Sequence, residues 1–161
     1  MRLRDGREVS VRRLTAADEG ALRAALTHAD PVDLRLRFLG PPPPTSTIVR
    51  QLRRVDDVHD LALGAFDDRN RLIAVAQFDR VNDEPSAEFA IEVGGGWKSA
   101  GLGTALLALL VDEARAVGIT QLTASYYAEN LPVRRLLHRT GLVTESGISA
   151  GEGHAVLDLA S

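Results

Sequence analysis

Residues 94–104 read Gly94-Gly95-Gly96-Trp97-Lys98-Ser99-Ala100-Gly101-Leu102-Gly103-Thr104, and directly afterwards the apolar residues take up helical spacing. The first turn of a helix leaves several backbone N–H groups without partners in the helix itself, and with the helix dipole these favour an anion such as phosphate. Glycine at 101 and 103 lets the main chain approach a diphosphate closely, and Lys98 sets a positive charge beside it. The same turn could equally serve only to join a strand to a helix. Two familiar phosphate motifs are absent. Gly101-Leu102-Gly103 is followed by Thr-Ala-Leu, which breaks G-x-G-x-x-G, and a Walker A loop needs glycine immediately before Lys98-Ser99, where Trp97 stands.

Upstream of this turn, residues 86–93 alternate as a strand does, which puts Glu88, Ala90 and Glu92 on one face and Phe89, Ile91 and Val93 on the other. Two carboxylates therefore share a face just before the glycines. Downstream, Asn130 stands where a helix over 131–139 would take its N-cap. That helix carries Arg134, Arg135, His138 and Arg139, a basic face that either meets solvent or meets a phosphate. Gly147-Ile148-Ser149-Ala150-Gly151 spells the G-x-S-x-G of hydrolases, but no helix follows it and too few residues remain for an acid and a histidine, so it is expected to be a hairpin turn. His28, His59 and His154 lack ligand spacing, so no metal site is expected. The absence of cysteine removes any acyl transfer through an enzyme thioester.

The elements that must position these groups follow from periodicity. Strands are predicted over 8–14, 60–66, 71–78, 86–93 and 121–127, with two short ones near 142–145 and 155–159. Helices are predicted over 16–27, with Thr15 as cap, over 45–55 after the four prolines 41–44, over 101–117 with Gly118 as its stop, and over 131–139. The order is β-α-α-β-β-β-α-β-α-β-β. At 161 residues, 45% hydrophobic and 25% charged, the chain is expected to form a single domain over 1–161. A net charge of -3 carries no basic footprint for nucleic acid or anionic lipid. The longest apolar run, 102–111, reaches about half of the roughly 20 residues of a membrane span, and no secretory signal opens the chain, so a cytoplasmic protein is expected.

The run 97–107, WKSAGLGTALL, resembles the acetyl-CoA signature Q/R-x-x-G-x-G/A of the GNAT superfamily, with Lys98 in the place usually held by glutamine or arginine. Residues 128–133 and 139–142 are similar to that family's second motif: Asn130 matches its asparagine, and Leu142 replaces a phenylalanine. Residues 34–41 and 86–90 further resemble the catalytic domain of bacterial Pat-type protein lysine acetyltransferases.

The resemblance implies an α/β (α+β) fold, a mixed and mostly antiparallel sheet splayed at an acetyl-CoA slot and flanked by helices. It implies that pantetheine pairs with the main chain of Ile91 and Val93. The diphosphate would lie on Lys98, Ser99, Ala100, Gly101, Leu102, Gly103 and Thr104, and Asn130 would hold the cofactor near its pantetheine arm. It makes Glu88 the general base, with Glu92 as substitute; either could also be no more than a strand carboxylate facing water. The tyrosine that many members use to protonate the thiolate is replaced by Leu137, and Tyr126 or Tyr127 could reach the slot instead. The implied reaction is direct transfer of acetyl from acetyl-CoA to a primary amine, a protein lysine or a small molecule such as a polyamine. A non-catalytic acetyl-CoA sensor is the competing reading, and a homodimer is left open.

Overall fold

The computed structural model describes residues 1–27, 60–80, 84–97, 100–128 and 131–160. Strand β1 (Ser10–Arg13) leads through a 3-10 turn (Ala16–Asp18) into helix α1 (Glu19–Thr27). Three strands follow, β2 (Asp60–Phe66), β3 (Leu72–Arg80) and β4 (Ser86–Val93), then a 3-10 turn (Gly95–Trp97) and helix α2 (Leu102–Ala116). The described chain ends with β5 (Gln121–Tyr127), helix α3 (Leu131–Arg139), β6 (Val143–Ser149) and β7 (Glu152–Asp158). The helix expected over 45–55 lies outside the described residues.

The strands form one sheet in the order β1-β2-β3-β4-β5-β7-β6. Every neighbouring pair is antiparallel except β4–β5, which is parallel. This is the mixed, mostly antiparallel sheet that the resemblance implies. On one face Leu63, Ala76, Phe78, Ala87 and Phe89 pack against Leu106, Leu107 and Leu110 of α2. On the other, Ala62, Phe66 and Val75 meet Leu22 of α1. Helices on both faces explain why β2 is a continuous apolar run rather than an alternating one. Each such Leu or Phe taken fully from water stabilises the fold by about 1.5–3 kcal/mol before entropy is counted.

The 3-10 turn that leads into α1 is fixed by side chains. Thr15 and Asp18 form a capping box, the Asp18 carboxylate accepting the Thr15 N–H at 2.8 Å. Arg12 of β1 grips the same carboxylate with two bonds, at 3.0 and 2.8 Å, which ties the strand to the helix.

The terminal hairpin is longer than its periodicity predicts. β6 and β7 pair from Val143↔Leu157 to Ser149↔Glu152, around a two-residue turn in which Ala150 and Gly151 have φ of 53° and 79°. That is the left-handed geometry that suits strand twist. The G-x-S-x-G stretch is thus a strand end and a turn, as expected. The strands extend through Gly147 and Gly153 because rings cover them: His154 lies against Gly147, and the Tyr126 ring lies across Gly153.

Candidate active site

The parallel pair β4–β5 is short. Its register runs Ser86↔Gln121, Ala87↔Leu122 and Glu88↔Thr123, and goes no further. Beyond that rung β3 still holds β4 as far as Val93, and β7 still holds β5 as far as Tyr127. Each strand stays bound to its outer neighbour while the inner edges part. The result is a cleft of about 460 Å³, walled by Ala90–Val93 on one side and Ala124–Tyr126 on the other. Inner-edge peptide groups that a sheet would normally pair are left facing this space, where an extended polar chain can take their place.

The cleft runs to the start of α2. Gly101 precedes that helix with φ 89° and no side-chain cap, and its carbonyl accepts the Ala105 N–H at 3.1 Å. The N–H groups of Leu102, Gly103 and Thr104 find no acceptor among the described residues, so they offer the cleft three aligned donors. The Leu102 side chain is buried in the core, which leaves only its main chain for a ligand. A Cβ on Gly103 would lie 3.6 Å from Leu136 and 3.8 Å from Val93, so glycine there keeps the cleft open between β4 and α3. Ala100 is buried beside them, whereas Lys98, Ser99 and Asn130 lie outside the described residues. Ile91 and Val93 are half-buried in the wall, their side chains on the α2 face and their main chain on the slot.

Glu88 occupies the last rung before the strands part. Its side chain is exposed, on the α1 face of the sheet that it shares with Ala90 and Glu92. Glu92 is half-buried and forms part of the cleft wall; Glu88 stands at the vertex, where the cleft ends. Register sets Asp79 beside Glu88 and Asp60 beside Asp79, so three carboxylates from β2, β3 and β4 fall in one row.

Leu137, which the resemblance sets in the place of a tyrosine, is buried and lines the cleft. Tyr126 also lines it, but its ring lies over Gly153 of β7, on the side of β5 away from β4. The Tyr127 side chain lies outside what is described. Arg135 and Arg139 border the cleft; Arg134 and His138 do not. Arg4 and Trp97 also border it, neither of them expected there from the sequence. Arg4 belongs to a segment remote from every motif, so no spacing rule could have found it.

The family model of the acetyltransferase (GNAT) family matches residues 29–142. The chain belongs to the GNAT acetyltransferase family. It is 28% identical over 145 residues to acetyltransferase PA5475 of Pseudomonas aeruginosa, covering 88% of this chain and 78% of that protein. The GNAT domain of S. lividans PAT shares its fold with a TM-score of 0.89 at 24% identity, over 98% of this chain and 94% of that one. yncA of Salmonella typhimurium, solved with its cofactor acetyl-CoA, matches with a TM-score of 0.76 at 21% identity, over 96% and 95% of the two chains. The resemblance read from residues 97–107 and 128–142 is borne out. As a GNAT enzyme the protein is an acyltransferase that takes acetyl from acetyl-CoA, and the splayed sheet is the GNAT fold.

Proposed function

We propose that this enzyme acetylates a lysine side chain of a protein, with the pantetheine arm of acetyl-CoA in the β4–β5 cleft, its diphosphate at residues 98–104 and Glu88 as general base. The observation that carries this reading is the place of Glu88: exposed, at the vertex where β4 and β5 separate. An exposed base at the vertex of the cleft can be reached by an amine on a long side chain projecting from a protein surface. The likeness of residues 34–41 and 86–90 to Pat-type catalytic domains supports the same acceptor.

Acetyl-CoA supplies an activated acyl carbon. Glu88 takes a proton from the acceptor ammonium, and the free amine then forms the C–N bond as the C–S bond breaks. The main chain at the inner edge of β4, beyond the last rung with β5, lies where its N–H groups can hold the developing oxyanion. With Leu137 in the tyrosine place, no side chain of α3 at that position can donate a proton to the thiolate, and solvent or the proton held by Glu88 takes that role. Among the described residues no helix is long and apolar enough to cross a membrane, and no acid, histidine or cysteine cluster could hold a metal ion. The reading assigns the reaction to the cytoplasm.

The carboxylate row of Asp60, Asp79 and Glu88 favours any cationic acceptor, so a polyamine is the reading to be set against lysine. Labelled acetyl-CoA, a metabolic enzyme such as an acyl-CoA synthetase and a panel of small amines, incubated together, separate the two. Acetyl-lysine found by mass spectrometry above the non-enzymatic background is expected. Label confined to small amines would overturn the protein acceptor, and tight acetyl-CoA binding with no release of CoA thiol to any amine would point to a sensor.

A further inference from the structure

Residues 1–9 form a small hairpin that touches the phosphate loop on both sides of Lys98 and Ser99. Arg2 bridges Glu8, the Leu3 N–H donates to the Arg7 carbonyl at 2.8 Å, and the Gly6 N–H closes the turn on the Leu3 carbonyl at 3.0 Å. Leu3 and Val9 are buried in the α2 core and anchor it there. On one side of the loop the Arg7 guanidinium, oriented by Asp5 at 2.8 Å, stacks 3.9 Å from the centre of the Trp97 ring and donates to the Gly96 carbonyl at 2.9 Å. On the other side the Arg4 N–H donates to the Ala100 carbonyl at 3.3 Å. The hairpin therefore holds Gly96 and Trp97 on one side and Ala100 on the other.

Between these contacts the Arg4 side chain reaches the start of α2. A Cβ on Gly101 would lie 3.2 Å from Arg4 Nε, and Arg4 lines the cleft together with Gly101, Gly103 and Thr104. Glycine at 101 thus serves twice, by its positive φ and by leaving room for the guanidinium. Three helix N–H groups give a diphosphate directed bonds but only a fractional charge. A guanidinium adds a full charge and a planar fork matched to phosphate oxygens. We propose that Arg4 is a diphosphate-binding residue for acetyl-CoA, delivered to the loop by the residue 1–9 hairpin. This rests on the placement of the diphosphate at residues 98–104 made above.

The test measures binding of acetyl-CoA and of 3′-dephospho-acetyl-CoA by calorimetry, and turnover of S-acetylpantetheine, which has no phosphate. The proteins are the wild type, Arg4→Gln and, to report on the loop itself, Gly103→Val. Arg4→Gln should weaken both nucleotides about tenfold or more, the scale of a lost charge-assisted contact, and change kcat/KM for S-acetylpantetheine less than about twofold. If Arg4→Gln fails to fold, Arg4→Lys keeps charge and stem, and a loss of about three- to fivefold confined to the two nucleotides is expected. Unchanged nucleotide affinity in Arg4→Gln, with Gly103→Val weakened, would overturn the role of Arg4 and leave the loop placement standing. Equal losses with all three compounds would make Arg4 a folding residue, and a loss with acetyl-CoA alone would assign it to the 3′-phosphate. Unchanged affinity in Gly103→Val would remove the loop placement and this proposal with it.

Discussion

A lysine-like amine, with a reference pKa of about 10.4, reaches the enzyme mostly protonated at neutral pH, and the proton must leave before the nitrogen can attack. Glu88→Gln removes the proposed acceptor of that proton without touching the cleft walls. We expect kcat/KM to fall by about 10² to 10⁴-fold with acetyl-CoA affinity unchanged. The deficit should shrink as pH rises and free amine becomes abundant, and a deficit flat in pH would make Glu88 a positioning residue. A dead Glu92→Gln beside an active Glu88→Gln would move the role to the other carboxylate. Asp18 makes a separate prediction at the same scale. The two hydrogen bonds from Arg12, helped by the Thr15 N–H against a burial penalty, hold its carboxyl below the ordinary value of 3.8. A lowered carboxyl contributes stability that is fully present above the unfolded value and is lost as pH falls through the folded one. Asp18→Asn should therefore cost about 1–3 kcal/mol in urea unfolding at neutral pH, a gap that stays constant into mild acid and closes below the ordinary carboxylate range.

Strand β5 is held on one side by β4 for three rungs and on the other by β7 along its whole length. The wall of the cleft is thus only as rigid as the β5–β7 ladder behind it. Tyr126 and Gly153 form one rung of that ladder, and a Cβ at 153 would overlap the tyrosine ring. Gly153→Ala should destabilise the protein by about 1–3 kcal/mol, the usual cost of overpacking, and should raise KM for acetyl-CoA because the displaced ring borders the cleft. Denaturant melts and steady-state kinetics on the same variant check both halves. A stability loss without a change in KM would show that the β5 wall holds its position independently of that rung.

For the molecule as a whole, the proposed acetyl-CoA site is assembled from β4, β5, α2 and α3 and does not exist in the unfolded chain, so ligand and fold are expected to be linked. At 100 times Kd the cofactor should add about 2.7 kcal/mol of stability. For a chain of this size that corresponds to a Tm rise of about 5–10 °C, readable by thermal shift. Gly103→Val, which fills the space between Val93 and Leu136, should abolish most of the rise while leaving the ligand-free Tm close to wild type, since its Cβ meets its neighbours at ordinary contact distance. Gly101→Val is a poorer test, because φ of 89° would strain any other residue and unsettle the fold along with the site.

The sequence alone was enough for whatever acts over a few residues. Alternation along 86–93 placed Glu88 and Glu92 on one face, the glycine spacing at 101 and 103 marked an anion-ready helix start, and the residues around them carried the GNAT likeness. Helices α2 and α3 begin and end within a residue or two of their predicted limits, because helical periodicity and terminal glycines are local signals. The terminal strands were read too short, because Gly147 and Gly153 look like breaks until the rings of His154 and Tyr126 are seen to cover them. Tertiary structure decided the rest. Nothing within β4 or β5 states that their pairing stops at Glu88↔Thr123; that depends on β3 and β7 drawing the two strands apart. The alternation of β4 could not say which carboxylate ends the cleft and which walls it. Nor could any pattern in the chain bring Arg4 to the start of α2, because that contact joins segments far apart in sequence and exists only once Leu3 and Val9 are buried against the helix.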